Sequence, residues 1–182
     1  EPSDSITVWG GRWSDGRWRR VQRIAALPPH GRDQSQIVGD GTIHRGELVT
    51  AFISGRVEGV RGEVQLVRGS GAQWRVERAA LPFVGTSYVD VLSFRDTLWL
   101  AILGAPLRDA GLPLVHGLWV SHATAVGWSL PRLVAAKERS PLFEPRLIGS
   151  ATGLVLAWLD VRPTETQLRW RGIQANGEGR AH

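Results

Sequence analysis

Short apolar runs of strand length recur along the chain, separated by turns that carry glycine, aspartate or proline. The most apolar runs share a Leu-x-x-Ala pattern and begin at Leu48, Leu98 and Leu154. Nearly continuous apolar segments of this length are typical of strands buried on both faces between neighbouring sheets. A more polar segment precedes each of them, at 34–38, 88–92 and 144–148. The pattern predicts short strands throughout and leaves little room for helices.

Tryptophan sets a long repeat on top of this alternation. Trp18, Trp74 and Trp128 are 56 and 54 residues apart, and each opens a further strand-like segment. Trp9 and Trp119 stand nine residues before the first and last of these, in another short apolar run. One repeat therefore reads as a polar strand, an apolar strand, a third strand that usually carries tryptophan, and a fourth that opens on tryptophan.

Four short antiparallel strands repeated at about fifty residues predict an all-β fold, a β-propeller of four-stranded antiparallel blades. Residues 1–182 are expected to form a single propeller segment of about three and a half blades. Its units are a half blade at 5–28, full blades at 33–82 and 86–136, and a partial blade at 143–175. A closed propeller needs about 4 to 8 blades. The missing blades are expected to belong to a longer chain or, as the less favoured alternative, to further copies that self-associate into a ring.

Composition and charge narrow the function classes. The chain has no cysteine, which excludes disulfide frameworks, thiol catalysis and cysteine metal sites. Its net charge is +5, yet Lys137 is its single lysine, and the arginines are spread along the chain without a basic run. This distribution favours a GC-rich genome over a nucleic-acid-binding face. No apolar run approaches the roughly 20 residues of a membrane span, no signal peptide is visible, and the histidines fit no metal spacing. No metal and no cofactor are predicted.

Degenerate motifs connect the repeat with a known superfamily. An Asp-box reads Ser-x-Asp-x-Gly-x-Thr-Trp, and segment 121–128 keeps the serine and tryptophan of that pattern. Segment 67–74 keeps its glycine and tryptophan, and segment 13–18 carries a displaced Asp-Gly. The last repeat also contains Phe-Glu-Pro-Arg-Leu at 143–147 and Trp-Leu-Asp-Val-Arg at 158–162. On these residues, the chain resembles the sialidase-like superfamily of Asp-box β-propellers.

The resemblance implies a set of candidate chemical groups. Sialidases use a tyrosine nucleophile with a glutamate partner, an aspartate acid/base and three arginines that clamp the substrate carboxylate. Tyr88 and Glu144 each stand ten residues before their Leu-x-x-Ala leucine. Gln34 is placed at the same level by residue type alone. Gln36, Asp90 and Arg146 each stand two residues further along, and residues two apart share one face of their strand. The expected polar wall of the central funnel therefore carries Gln34, Gln36, Tyr88, Asp90, Glu144 and Arg146. Of these, Tyr88, Glu144 and Asp90 are the candidate catalytic residues.

Two functions remain open. The favoured one is a propeller-type binding module that recognises a carbohydrate or a protein at the central funnel or at the blade edges. The alternative is a sialidase-like glycoside hydrolase, an exo-sialidase whose active site lies only partly in this segment. Nucleic acid is a disfavoured partner, and the resemblance alone favours an extracellular or periplasmic location. Asp160 and Arg162 follow an apolar strand and are expected to tie a turn.

Overall fold

A computed structural model describes residues 6–27, 40–54, 63–137 and 142–174. These residues form strands joined by turns and short loops, with no helix among them. The predicted all-β, antiparallel character is therefore confirmed. The part of the chain that is described contains no helix that could cross a membrane.

The strands form four antiparallel sheets, each of which follows the order of the chain. Sheet 1 consists of β1 (Ile6–Ser14) and β2 (Arg17–Leu27). Sheet 2 consists of β3 (Gly41–His44), β4 (Glu47–Ser54), β5 (Glu63–Ser70) and β6 (Gln73–Ala79). Sheet 3 consists of β7 (Phe83–Phe94), β8 (Thr97–Pro106), β9 (Gly117–Thr124), β10 (Gly127–Trp128) and β11 (Arg132–Ala136). Sheet 4 consists of β12 (Leu142–Gly149), β13 (Leu154–Val161) and β14 (Thr166–Ile173).

The repeat tryptophans occupy one position in this architecture. Trp18, Trp74 and Trp128 are each the second residue of the strand that follows the third strand of a repeat. In the third repeat that last strand is split into β10 and β11, both of which pair with β9. Pro131 lies in the gap, where it has no N–H to donate to the ladder. The tryptophan period therefore reports a real equivalence between strand positions.

The first strand of sheet 2 differs from the sequence prediction. The strand expected at 34–38 lies outside the described residues. The turn expected at 39–41 is not where the chain reverses, because β3 begins at Gly41 and the hairpin turns at Arg45 and Gly46. Both turn residues have positive φ, at 49° and 80°. A two-residue turn of this kind matches the right-handed twist of the flanking strands, and its length fixes the register of β3 against β4.

Strand β8 shows how the sheets stack. Leu98, Leu100 and Ile102 point to one face of the strand and join a buried cluster with residues of sheet 2. Trp99 and Leu103, on the opposite face, join a second buried cluster with residues of sheet 4. Since side chains alternate along a strand, sheet 3 is covered on both faces. The prediction that this Leu-x-x-Ala strand is buried between neighbouring sheets is confirmed.

Candidate functional site

The alanines of the three Leu-x-x-Ala strands mark one level across sheets 2, 3 and 4. In sheet 3, Asp90 lies opposite Ala101, and in sheet 4, Arg146 lies opposite Ala157. In sheet 2, the residue at this level is Asp40, whose carbonyl oxygen accepts a hydrogen bond from Ala51 N at 3.1 Å. Three charged residues therefore occupy equivalent positions on, or directly before, the first strands of successive sheets.

These three side chains form one ionic cluster, which we call the inner-strand cluster (Asp40, Asp90 and Arg146). The Arg146 guanidinium donates a hydrogen bond through Nη1 to Asp40 Oδ2. The same Nη1 lies 3.9 Å from Asp90 Oδ1. Arg146 and Asp40 are separated by 106 positions in the chain, so their contact ties sheet 4 back to sheet 2. One guanidinium thus faces two carboxylates, and the arginine is already engaged by the protein itself.

Asp90 is only 4% exposed, which differs from the expected position on a wet funnel wall. Its Oδ2 accepts a hydrogen bond from Leu147 N at 2.5 Å, so the carboxylate caps a backbone N–H of the neighbouring sheet. Burial raises the pKa of Asp90 to about 6, although hydrogen bonds from the backbone of Leu147 and Val91 favour the charged form. A buried carboxylate in this position links β7 to β12 and is held at an energetic cost.

A second set of contacts links β3 to β7 beside the cluster. Ser93 N donates to Thr42 Oγ1 at 3.1 Å, and Ser93 Oγ is 2.9 Å from His44 Nδ1. Burial lowers the pKa of His44, and the charge of Arg45 acts in the same direction. The polar groups along the first strands of these sheets therefore bond to the next sheet and help to hold the sheets together.

The other predicted site residues have separate environments. Tyr88 lies opposite Leu103 and packs against the second buried cluster. Glu144 is exposed, with φ of 47°, in an irregularity of β12 between Phe143 and Arg146. That bulge interrupts the alternation on which Glu144 was expected to share a face with Arg146.

Gln34 and Gln36 lie outside the described residues, and Asp40 occupies the level at which Gln36 was expected. Sequence reasoning missed Asp40, although a signal was present. Asp40, Asp90 and Arg146 each stand eight residues before the leucine of their Leu-x-x-Ala strand.

A separate cleft of about 590 Å³ opens between sheets 3 and 4, beside the turn that joins β13 to β14. Ala135, Leu142 and Trp158 form its apolar wall. Its charged side chains are Asp160, Arg162, Glu165 and Arg169. We call this feature the β13–β14 cleft.

The polar side of the β13–β14 cleft is organised around Asp160, whose side chain is only 10% exposed. Its Oδ2 lies 3.3 Å from Arg162 Nη2 and 3.4 Å from Arg169 Nε. Arg162 also donates its backbone N–H to Glu165 O at 2.8 Å, which closes the turn. The expectation that Asp160 and Arg162 tie a turn is confirmed. Arg169 was missed because it reaches Asp160 across the β13–β14 pairing, where Asp160 lies opposite Gln167.

The two arginines and two carboxylates of the cleft balance in charge. The arginines are more than two-fifths exposed, and Glu165 is also exposed. Gln167 connects two of these groups, because it accepts a hydrogen bond from Arg169 Nη2 at 2.7 Å and donates one to Glu165 Oε1 at 2.8 Å. Donors and acceptors interleaved beside an apolar wall suit a neutral ligand with many hydroxyl groups more than an anion. Within the part of the chain that the structure covers, no three acidic or histidine side chains gather into a group that could hold a metal ion.

Comparisons of the chain with family models, with curated proteins and with solved structures find no match.

Proposed function

We propose that this chain is a segment of a β-propeller of the sialidase-like, Asp-box type, and that it acts as a binding module. The observation that carries the architecture is the shared level of Asp40, Asp90 and Arg146 on successive sheets. Sheets that stack face to face with their first strands adjacent support a radial arrangement around a common axis. Sheet 3, covered on both faces, supports the same arrangement.

The four sheets correspond to successive blades in this proposal. Sheet 1 supplies the two outer strands of one blade, sheets 2 and 3 supply full blades, and sheet 4 supplies the three inner strands of the last. The turns of the degenerate Asp-boxes support the assignment, because they join the third strand to the fourth. In sheet 3, Thr124 Oγ1 accepts a hydrogen bond from Val126 N at 3.3 Å, which stabilises the turn without the aspartate of the motif.

The ligand we propose is a carbohydrate, bound in the β13–β14 cleft at the edge between two blades. The cleft combines a tryptophan and aliphatic wall with paired donors and acceptors. Sugars present hydroxyl groups that both donate and accept hydrogen bonds, together with apolar ring faces that pack on such a wall. A protein ligand at the same edge is the competing occupant.

An exo-sialidase function is less well supported. Its carboxylate clamp needs arginine guanidinium groups that are available to substrate, whereas Arg146 faces Asp40 and Asp90. The candidate tyrosine, Tyr88, packs against an apolar cluster, and Glu144 lies in a bulge. A test of this alternative is hydrolysis of a fluorogenic sialoside by the wild type, Tyr88→Phe and Arg146→Ala. Equal background rates for all three would reject it.

Binding to a printed array of neutral and acidic oligosaccharides tests the proposed ligand class. Arg169→Ala should weaken a bound sugar, because it removes a donor from the cleft and one partner of Asp160. Arg45→Ala is the matched control, since it also removes an exposed, ion-paired arginine. Arg45 lies in the β3–β4 turn, away from the cleft, and its Nη2 is 2.6 Å from Asp96 Oδ2 in the β7–β8 turn. Equal effects of the two changes, or no glycan bound by the wild type, would contradict the proposal.

A further inference from the structure

Sheet 4 presents an apolar face to solvent. Four of its large hydrophobic side chains are between 42% and 70% exposed: Phe143, Ile148, Leu168 and Trp170. They share one face, because directly opposed residues of antiparallel strands point to the same side. Phe143 and Leu168 lie opposite Leu159, Trp170 lies opposite Ala157, and Ile148 lies opposite Val155. An apolar face of this kind is uncommon on an isolated domain and marks an interaction site.

The equivalent face is covered in the two preceding sheets. We define the downstream face of a sheet as the one that carries its Leu-x-x-Ala alanine, and the upstream face as the opposite one. Sheet 1 has no Leu-x-x-Ala strand among the described residues, so its upstream face is defined as the one that carries Trp9, the equivalent of Trp119. In sheet 2 this face bears Ala51 and packs against sheet 3, and in sheet 3 it bears Ala101 and packs against sheet 4. The downstream face of sheet 4 bears Ala157 and continues this series. Its natural occupant is therefore the upstream face of another sheet of the same repeat.

The same chain carries such an upstream face at its other end. Trp119 lies on the upstream face of sheet 3, where it is buried against sheet 2. Trp9 has the equivalent place in sheet 1, nine residues before Trp18 as Trp119 is before Trp128. Yet Trp9 is 63% exposed. The tryptophan that seals a contact between two sheets inside the chain is left in solvent at the first sheet.

From these two open faces, we propose that a second copy of this chain docks on sheet 4. The upstream face of sheet 1 in one copy, centred on Trp9, stacks on the downstream face of sheet 4 in the next, centred on Leu168 and Trp170. The contact continues the stacking already present between sheets 2, 3 and 4. It is heterologous, because two different faces meet, and repeated contacts of this kind give a ring of copies when the rotation between copies closes. The inference uses the stacking alone and does not depend on the ligand of the β13–β14 cleft.

The mass of the protein in solution, measured by light scattering and sedimentation over a range of concentrations, tests the contact. The wild type should exceed the monomer mass. Leu168→Glu with Trp170→Glu should weaken association about tenfold or more, because a charge would be buried in an apolar contact. Trp9→Glu should do the same from the other side. Val126→Glu, at a 98% exposed position on the β9–β10 turn, is the control and should leave association unchanged.

Mixing the Leu168→Glu/Trp170→Glu variant with the Trp9→Glu variant tests whether sheet 1 of one copy meets sheet 4 of the next. At a concentration at which each variant alone is monomeric, the mixture should form a complex of one copy each, because one intact pair of faces remains. A monomeric wild type would overturn the proposal. So would self-association of Trp9→Glu at the wild-type level, which would indicate that two copies of sheet 4 meet face to face. Absence of the mixed complex, with both variants folded by circular dichroism, would overturn it as well.

Discussion

Replacing Asp90 with asparagine measures the cost of holding a charge between the first strands of sheets 3 and 4. Asp90 is 4% exposed, and its Oδ2 accepts the Leu147 N–H at 2.5 Å. Asparagine keeps an oxygen of similar position for that bond and removes the charge. The variant therefore separates the electrostatic contribution of this residue from its hydrogen bond to the neighbouring sheet.

The expected magnitude follows from the raised pKa. The pKa of Asp90 rises from 3.8 to about 6 in the folded protein, chiefly through burial. At 1.36 kcal/mol per pKa unit, the charged form costs the folded state about 3 kcal/mol. Between about pH 4 and pH 6 the folded chain binds a proton that the unfolded chain does not. The contribution of Asp90 to the free energy of unfolding therefore falls as the pH rises through this window.

Equilibrium unfolding in urea, repeated from about pH 4 to about pH 7, provides the measurement. The stability of Asp90→Asn relative to the wild type should increase by about 2 kcal/mol over this range, because the unfolded chain is already partly ionised at its lower end. A difference between the two proteins that does not change with pH would refute the reasoning. Asp96→Asn is the control of opposite sign, because a hydrogen bond from Arg45 lowers the pKa of that exposed carboxyl. The stability of Asp96→Asn relative to the wild type should fall as the pH rises toward the ordinary aspartate pKa of about 3.8, and it should change little across the window in which Asp90→Asn gains stability.

Two further predictions concern the packing and the acid stability of the sheets. Gly117→Ala should destabilise the protein by about 1–3 kcal/mol in thermal or urea unfolding, because its Cβ would overlap the Ala135 carbonyl oxygen. Gly172→Ala, whose Cβ would meet open space, should not, and equal losses would contradict this. Hydrogen bonds from Arg75, and secondarily from Arg68, hold the pKa of Glu47 below its usual value in the folded protein. The charged Glu47 therefore stabilises the fold fully above the pKa of the unfolded chain, and this stabilisation is lost as the pH falls through the pKa of the folded protein. Glu47→Gln should therefore lose less stability than the wild type on acidification, and identical acid unfolding curves would refute this.

Local patterns predicted the strands because burial on a pleated sheet imposes its own period. The apolar run that starts at Leu98 had to lie between two sheets, since both of its alternating faces are hydrophobic. Trp18, Trp74 and Trp128 predicted the equivalence of three strand positions, because a large side chain in a repeat recurs where the packing recurs. The all-β character and the order of most strands were therefore readable without coordinates.

The residues that make up the inner-strand cluster could not be predicted from the sequence in the same way. Sequence reasoning placed Gln36 beside Asp90, whereas the two-residue turn at Arg45 and Gly46 sets Asp40 at that level. The spacing of eight residues before each Leu-x-x-Ala leucine carried this register. What the spacing did not carry was the pairing of Arg146 with Asp40, which depends on how closely sheets 2 and 4 approach.

The sequence by itself determined the repeat, the antiparallel strands and the position of the apolar faces. These depend on period, composition and turn chemistry, which act over a few residues. The tertiary structure alone decided that Asp90 is buried, that Arg146 is engaged by two acids, and that Arg169 joins Asp160 in a cleft. Each of these results from side chains brought together by strand register and sheet stacking. Exposure, charge pairing and pKa are properties of that three-dimensional neighbourhood, and the order of residues along one strand does not contain them.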